Sequence, residues 1–213
     1  MARFRVAGLW LAVAAFVVGG IDWTPDSRFL RAAPSIALNL RLTAADNLPP
    51  TSKRVLVAEA AAIWKQEGIR LQWLSGAESR EGATLRVLVM PRTVGAPADG
   101  EPWPVGELLR FEDSRAIAIA SIAGALRVVD ESQRLRLLDA PMLREYRLGL
   151  VLGRAVAHEI GHFLLRTNAH SDSGLMRANI GAREFADPRA DSFQLDDATQ
   201  RQLNSSRAQV EVR

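Results

Sequence analysis

Ala157-His158-Glu159-Ile160-Gly161-His162-Phe163-Leu164-Leu165-Arg166-Thr167-Asn168-Ala169-His170-Ser171, followed shortly by Gly174-Leu175-Met176, is the stretch from which the rest of this 213-residue chain is read. The chain has three histidines, and all of them, His158, His162 and His170, fall inside it. Imidazole is the commonest side-chain ligand of zinc. The first two histidines are spaced i, i+4 with a glutamate after the first, the H-E-x-x-H pattern that sets two imidazoles on one helical face. Four helical residues turn through about 400°, so the two rings project together, one turn apart. Glu159 stands between apolar Ala157 and Ile160, where a carboxylate needs a partner or a task. Beside a metal that task is general base.

A catalytic zinc takes three protein ligands and keeps one position open. His170 is the histidine left, yet on an unbroken helix it would lie about 12 Å beyond His162 along the axis. The chain must therefore turn sharply between Leu165 and His170. Thr167-Asn168 is the expected place, since these residues favour turns and asparagine tolerates the left-handed conformation. Glu184, 22 residues after His162, is the competing third ligand and would make a two-histidine, one-glutamate set.

Upstream, Asp139 and Pro141 open the longest helical pattern in the chain, running to Leu165. Arg144, Arg147 and Arg154 argue against a membrane span there. Gly149, Gly153, Ala157 and Gly161 form a column of small residues at i, i+4 spacing, expected to let the helix lie close against the sheet. That sheet begins at Ser35–Thr43, where Ile36, Leu38, Leu40 and Leu42 alternate with smaller or polar residues as in a half-buried strand. A helix over about 51–67 follows, capped by Thr51 or Ser52 and closed by Gly68. Ile69, Leu71 and Trp73 mark a second strand, and Thr84–Met90 a third that reads as nearly continuous apolar sequence. Val105–Phe111 and Ala116–Ile122 flank Glu112-Asp113-Ser114 as a hairpin. Residues 124–138 fit a helix or a strand plus turn. The order strand, helix, strand, strand describes an α/β sheet with a crossover helix.

Composition narrows the function classes. Hydrophobic residues make up 48% of the chain, enough for one domain with a real core. The formal net charge is +3, and the arginines are scattered without a dense block, so no nucleic-acid groove is indicated. The absence of cysteine excludes disulfides, thiolate metal sites and thiol catalysis. Arg3 and Arg5 precede an uncharged apolar run from Val6 to Ile21. Residues 1–21 therefore read as a signal peptide, with an uncleaved N-terminal membrane anchor through 6–21 as the alternative. Export to the periplasm or outside the cell is expected. Residues 22–34, polar with two prolines, read as a linker, and 35–213 as the catalytic domain.

His158-Glu159-x-x-His162, a third histidine followed by Ser171, and the downstream Gly174-Leu175-Met176 resemble the metzincin zinc endopeptidases, especially the matrixin branch. The likeness extends to Leu195-Asp196-Asp197-Ala198-Thr199-Gln200, similar to the aspartate-capped closing helix of matrixins. The family pattern is H-E-x-x-H-x-x-G-x-x-H. Here Leu165 stands at the glycine and Asn168 at the third histidine, with His170 two residues later. The resemblance implies an α+β (α/β) fold with a twisted mixed sheet, two long helices, and a small C-terminal subdomain holding a methionine turn and a closing helix. It implies a Zn2+ peptidase acting on peptide or protein substrates, with His158, His162 and His170 as metal ligands and Glu159 as general base. Met176 would floor the metal site without ligating it. The alternative is a non-catalytic, metal-stabilised envelope domain that binds a partner through the same cleft. Specificity is expected from the loop after Met176 and the segment near Ser121. Nothing in the sequence marks an oligomeric state.

Overall fold

Side chains of a strand alternate between faces, and the apolar set of Ile36–Ala44 (β1) follows that rule, with Leu38 and Leu40 buried towards the core. The structure, a computed structural model, describes residues 36–75, 84–94, 104–112, 115–133 and 140–211, side chains beyond 206 excepted. The export segment and linker expected over 1–34 lie outside the described residues, as does Asp139.

After β1 come α1 (Pro50–Gln66), β2 (Ile69–Leu74), β3 (Thr84–Met90), β4 (Gly106–Arg110), β5 (Ala116–Ser121), α2 (Ile122–Ser132), α3 (Pro141–Leu165), α4 (Ala182–Ala186) and α5 (Asp197–Glu211). Among the described residues this is a mixed α/β fold of five strands and five helices. The sheet order is β2-β1-β3-β5-β4, parallel except for β4, which pairs antiparallel with β5 and forms one edge. The expected hairpin is the β4–β5 pair. Residues 122–132 are helical, because Ser121 caps them by accepting the Gly124 N–H at 2.9 Å.

In β3, Leu85, Val87 and Val89 are buried while Arg86 is exposed. This strand therefore alternates, with one face on the core, where the apolar run suggested burial on both. The cap expected from Thr51 or Ser52 is also corrected. Pro49 precedes the first turn of α1 and Pro50 occupies it, with no side-chain cap, as suits a residue without an N–H to satisfy. Ser52 is instead fully buried and donates to the Glu145 carbonyl at 2.8 Å. Gly68 ends α1 at φ 70°, a conformation that favours glycine.

The small-residue column of α3 meets α1 rather than the sheet. A Cβ on Gly149 would stand 2.5 Å from the Ser52 carbonyl oxygen, and one on Gly153 would stand 2.9 Å from that of Leu56. Trp64, fully buried, donates its indole N–H to the Ala157 carbonyl at 3.1 Å. Such contact with a helix backbone requires near absence of side chain, which a flat apolar sheet would not have demanded. Arg154, 2% exposed, locks the layer further. It pairs with Glu59 at 2.8 Å, donates to the Phe185 carbonyl at 2.8 Å, and stacks on Phe193 at 4.1 Å.

Candidate metal centre

The last turns of α3 carry His158, Glu159 and His162, of which Glu159 and His162 are buried and His158 half-buried. That helix stops because Arg166 adopts the left-handed conformation, φ 52° and ψ 35°. The turn thus starts one residue before the expected Thr167-Asn168 pair, which continues it. His162 contributes to the stop: its Nδ1–H donates to the Thr167 carbonyl at 2.9 Å. His158 Nδ1–H likewise donates to the Leu175 carbonyl at 2.7 Å. A carbonyl can only accept, so both rings carry their proton on Nδ1 and present a bare Nε2.

Those two Nε2 atoms stand 3.0 Å apart. His170 completes the group. One ring nitrogen from each of His158, His162 and His170 lies within 4.8 Å of the others, and the His158 and His170 rings are 21° from parallel. Zinc–nitrogen bonds of about 2.0–2.1 Å put two ligating nitrogens roughly 3.3 Å apart in a tetrahedron, close to the 3.0 Å between the Nε2 atoms of His158 and His162. Facing lone pairs at this distance repel unless a proton or a cation lies between them. Burial opposes the proton: desolvation, and then the neighbouring imidazoles, lower His158 to about 4, and desolvation also lowers His162. The donor set therefore fits a metal cation. His158 and His162 are held from inside the fold, whereas His170 is exposed, leaving the site accessible from its side.

Glu184, the competing ligand, lies elsewhere. Its carboxylate is engaged by Arg177 and by the Ser192 hydroxyl at 2.5 Å, and the Arg177 contact is the leading reason its acidity is strengthened.

Gly174-Leu175-Met176 forms a turn packed against the end of α3. Gly174 sits at φ 72° with no room for a Cβ, which would meet the Gln194 carbonyl oxygen at 2.3 Å. The Leu175 N–H bonds that same carbonyl at 2.7 Å. Met176, 2% exposed, lays its sulfur against Gly161 between the two helical histidines, where a Cβ would come within 2.3 Å of Sδ. The turn therefore supports the site twice: Met176 packs beneath the helix, and the Leu175 carbonyl orients His158. Beyond it, Asp196 accepts the Thr199 N–H at 2.8 Å and caps α5, as read from the sequence. Glu67 ties that helix start to the end of α1, accepting from Leu195 N–H at 3.2 Å and Gln200 Nε2 at 2.9 Å.

Glu159 is 5% exposed and has no hydrogen-bond donor among the described residues. Its carboxylate lies against Gly106 of β4, where a Cβ would be 2.7 Å from Oε1. Burial, and then the nearby Glu107, raise it to about 8. Two neighbours carry no signal in the sequence: Gly106, which makes room for the carboxylate, and Arg110, which donates to Asn168 Oδ1 at 3.1 Å and to the Thr167 carbonyl at 3.3 Å in the turn after α3. Ser121, by contrast, is fully buried, its hydroxyl committed to the α2 cap and to the Arg92 carbonyl at 2.8 Å.

No protein-family model matches the chain, and no curated protein matches it. Among solved structures, the crystal structure of archaemetzincin from Methanopyrus kandleri aligns with a TM-score of 0.47 and 14% identity, covering 81% of this chain and 96% of that one.

Proposed function

We propose that the protein is an exported zinc-dependent endopeptidase in which His158, His162 and His170 hold the metal and Glu159 is the general base. The observation that carries this reading is the convergence of one ring nitrogen from each of the three histidines within 4.8 Å, with the Nε2 atoms of His158 and His162 3.0 Å apart. Zinc bound there would supply a Lewis acid that polarises a carbonyl and acidifies water. Glu159, with no donor of its own among the described residues, accepts a proton at its carboxylate and returns it to the leaving amine. Its raised affinity for a proton suits the second half of that cycle, and a nearby cation would ease the first by favouring the ionised form. Met176 and the Leu175 carbonyl keep the ligands oriented, a supporting layer on which metal affinity depends. Peptide backbone pairs with β4, an edge strand among the described residues, which carries Gly106 beside Glu159. Residues 1–21 direct export or tether the chain.

The experiment compares peptide hydrolysis by the zinc-loaded full chain with that of Glu159→Ala over a broad peptide library. Activity in the wild type and its loss in the variant, at equal zinc content, is the expected result. Stoichiometric zinc with no hydrolysis in either form would remove the peptidase reading and leave a metal-stabilised binding domain.

A further inference from the structure

One side chain on the sheet edge reaches across to the turn that delivers the third histidine. By register, Arg110 pairs with Ala116 and shares the face of Gly106 and Leu108, the side on which Glu159 approaches Gly106. Its Nη2 donates to the His162 carbonyl and, at 3.3 Å, to the Thr167 carbonyl; its Nη1 donates to Asn168 Oδ1 at 3.1 Å. These acceptors bracket Arg166, whose left-handed backbone is costly for a residue with a side chain. They also include the Thr167 carbonyl that holds the Nδ1 proton of His162. Asn168 is thereby used as an acceptor within the turn. The Thr167 hydroxyl adds a local bond, accepting from Ala169 N–H at 3.0 Å, and the next residue is His170.

We infer that Arg110 is a positioning residue of the metal site: its guanidinium clamps both sides of the left-handed turn, so that His162 keeps its orientation and His170 reaches the other two imidazoles. The inference rests on the metal-centre reading above. A planar fork with several N–H donors can hold three acceptors at once, whereas an ammonium on a flexible stem offers no such fixed geometry. Coulomb forces push the other way, because a cation beside the site opposes a second cation. The sign of the effect therefore separates positioning from charge.

The test is zinc affinity, measured by competition against a chromophoric chelator, in full-chain wild type, Arg110→Lys, Arg110→Ala, His170→Ala and the Arg110→Ala/His170→Ala double variant. Thermal melting of each metal-free protein shows that the variants remain folded. Positioning predicts that Arg110→Ala weakens zinc binding about 10- to 100-fold, the range for lost supporting contacts. Arg110→Lys should fail to restore it. In the His170→Ala background the same Arg110→Ala change should cost several-fold less, because the ligand it delivers is already gone. Unchanged or tighter binding in Arg110→Ala would overturn the inference, as would an equal loss in both backgrounds, which would reduce Arg110 to general stability. Failure of the wild-type chain to bind zinc would overturn the metal reading and this inference with it, and is recognisable before any variant is compared.

Discussion

Glu159 is 5% exposed and lies against Gly106 of β4, and burial, then the charge of Glu107, raises its proton affinity. Two predictions follow from its surroundings. Glu159→Gln is nearly isosteric and should leave zinc content unchanged while lowering peptide hydrolysis by at least about a hundred-fold, the lower end for a lost general base. The same substitution tests the electrostatics without metal. The Glu159 carboxyl, ordinarily near 4.5, is raised to about 8 in the fold. Between those values the folded protein retains a proton that the unfolded chain has released, so stability contributed below pH 4.5 is lost as pH rises towards 8. Metal-free wild type should thus fall progressively behind Glu159→Gln in melting temperature from pH 5 to pH 8. A gap independent of pH would show that the carboxyl is not perturbed. Gly106→Ala tests the neighbour. Its Cβ would come 2.7 Å from Oε1, displacing the carboxylate, and hydrolysis should drop with zinc affinity intact and stability altered by less than about 1 kcal/mol.

At the scale of elements, the junction of α1 and α3 fixes where the histidines emerge. Their axes approach so closely at Gly149 and Gly153 that backbone carbonyls of α1 occupy the space of a missing Cβ. Gly153→Val should therefore cost at least about 2 kcal/mol through forced separation, read from denaturant midpoints. The period of the α3 stripe disclosed that some neighbour lies close, but periodicity carries no address for that neighbour, and the expected sheet proved to be α1. The elements themselves were more legible. Alternation in β1, apolar spacing in α1 and the long run of α3 are local patterns set by burial on one face, and each emerged within a residue or two of its expected limits. The β4–β5 hairpin was readable for the same reason. Less readable were features that depend on contacts distant in sequence. Arg110 acts on residues 52 to 58 positions away, and no local signal distinguishes it from the other scattered arginines. The histidine cluster was legible because its chemistry is concentrated in one stretch. The turn was legible as a necessity of distance, but Arg166 was not, since propensity favours asparagine for the left-handed region.

Across the whole molecule, the site lies where three parts of the fold meet: the end of α3, the edge strand β4, and the C-terminal segment with its methionine turn. On the proposed reading each contributes something the others lack: α3 two ligands and a base, β4 room and a clamp, and the C-terminal segment the Leu175 carbonyl and the Met176 sulfur. Because these parts are separate in the unfolded chain, metal binding should favour the folded state. Zinc at 100 times its dissociation constant should stabilise the protein by about 2.7 kcal/mol, seen as a rise in melting temperature that a chelator reverses. The measurement that bears most directly on the central claim is zinc K-edge X-ray absorption on the stoichiometrically loaded full chain. The expected result is one zinc per chain with three imidazole nitrogens at about 2.0–2.1 Å and a further light-atom ligand, falling to two imidazoles in His170→Ala. Two imidazoles with a protein carboxylate in the wild type, or no bound zinc at all, would contradict it.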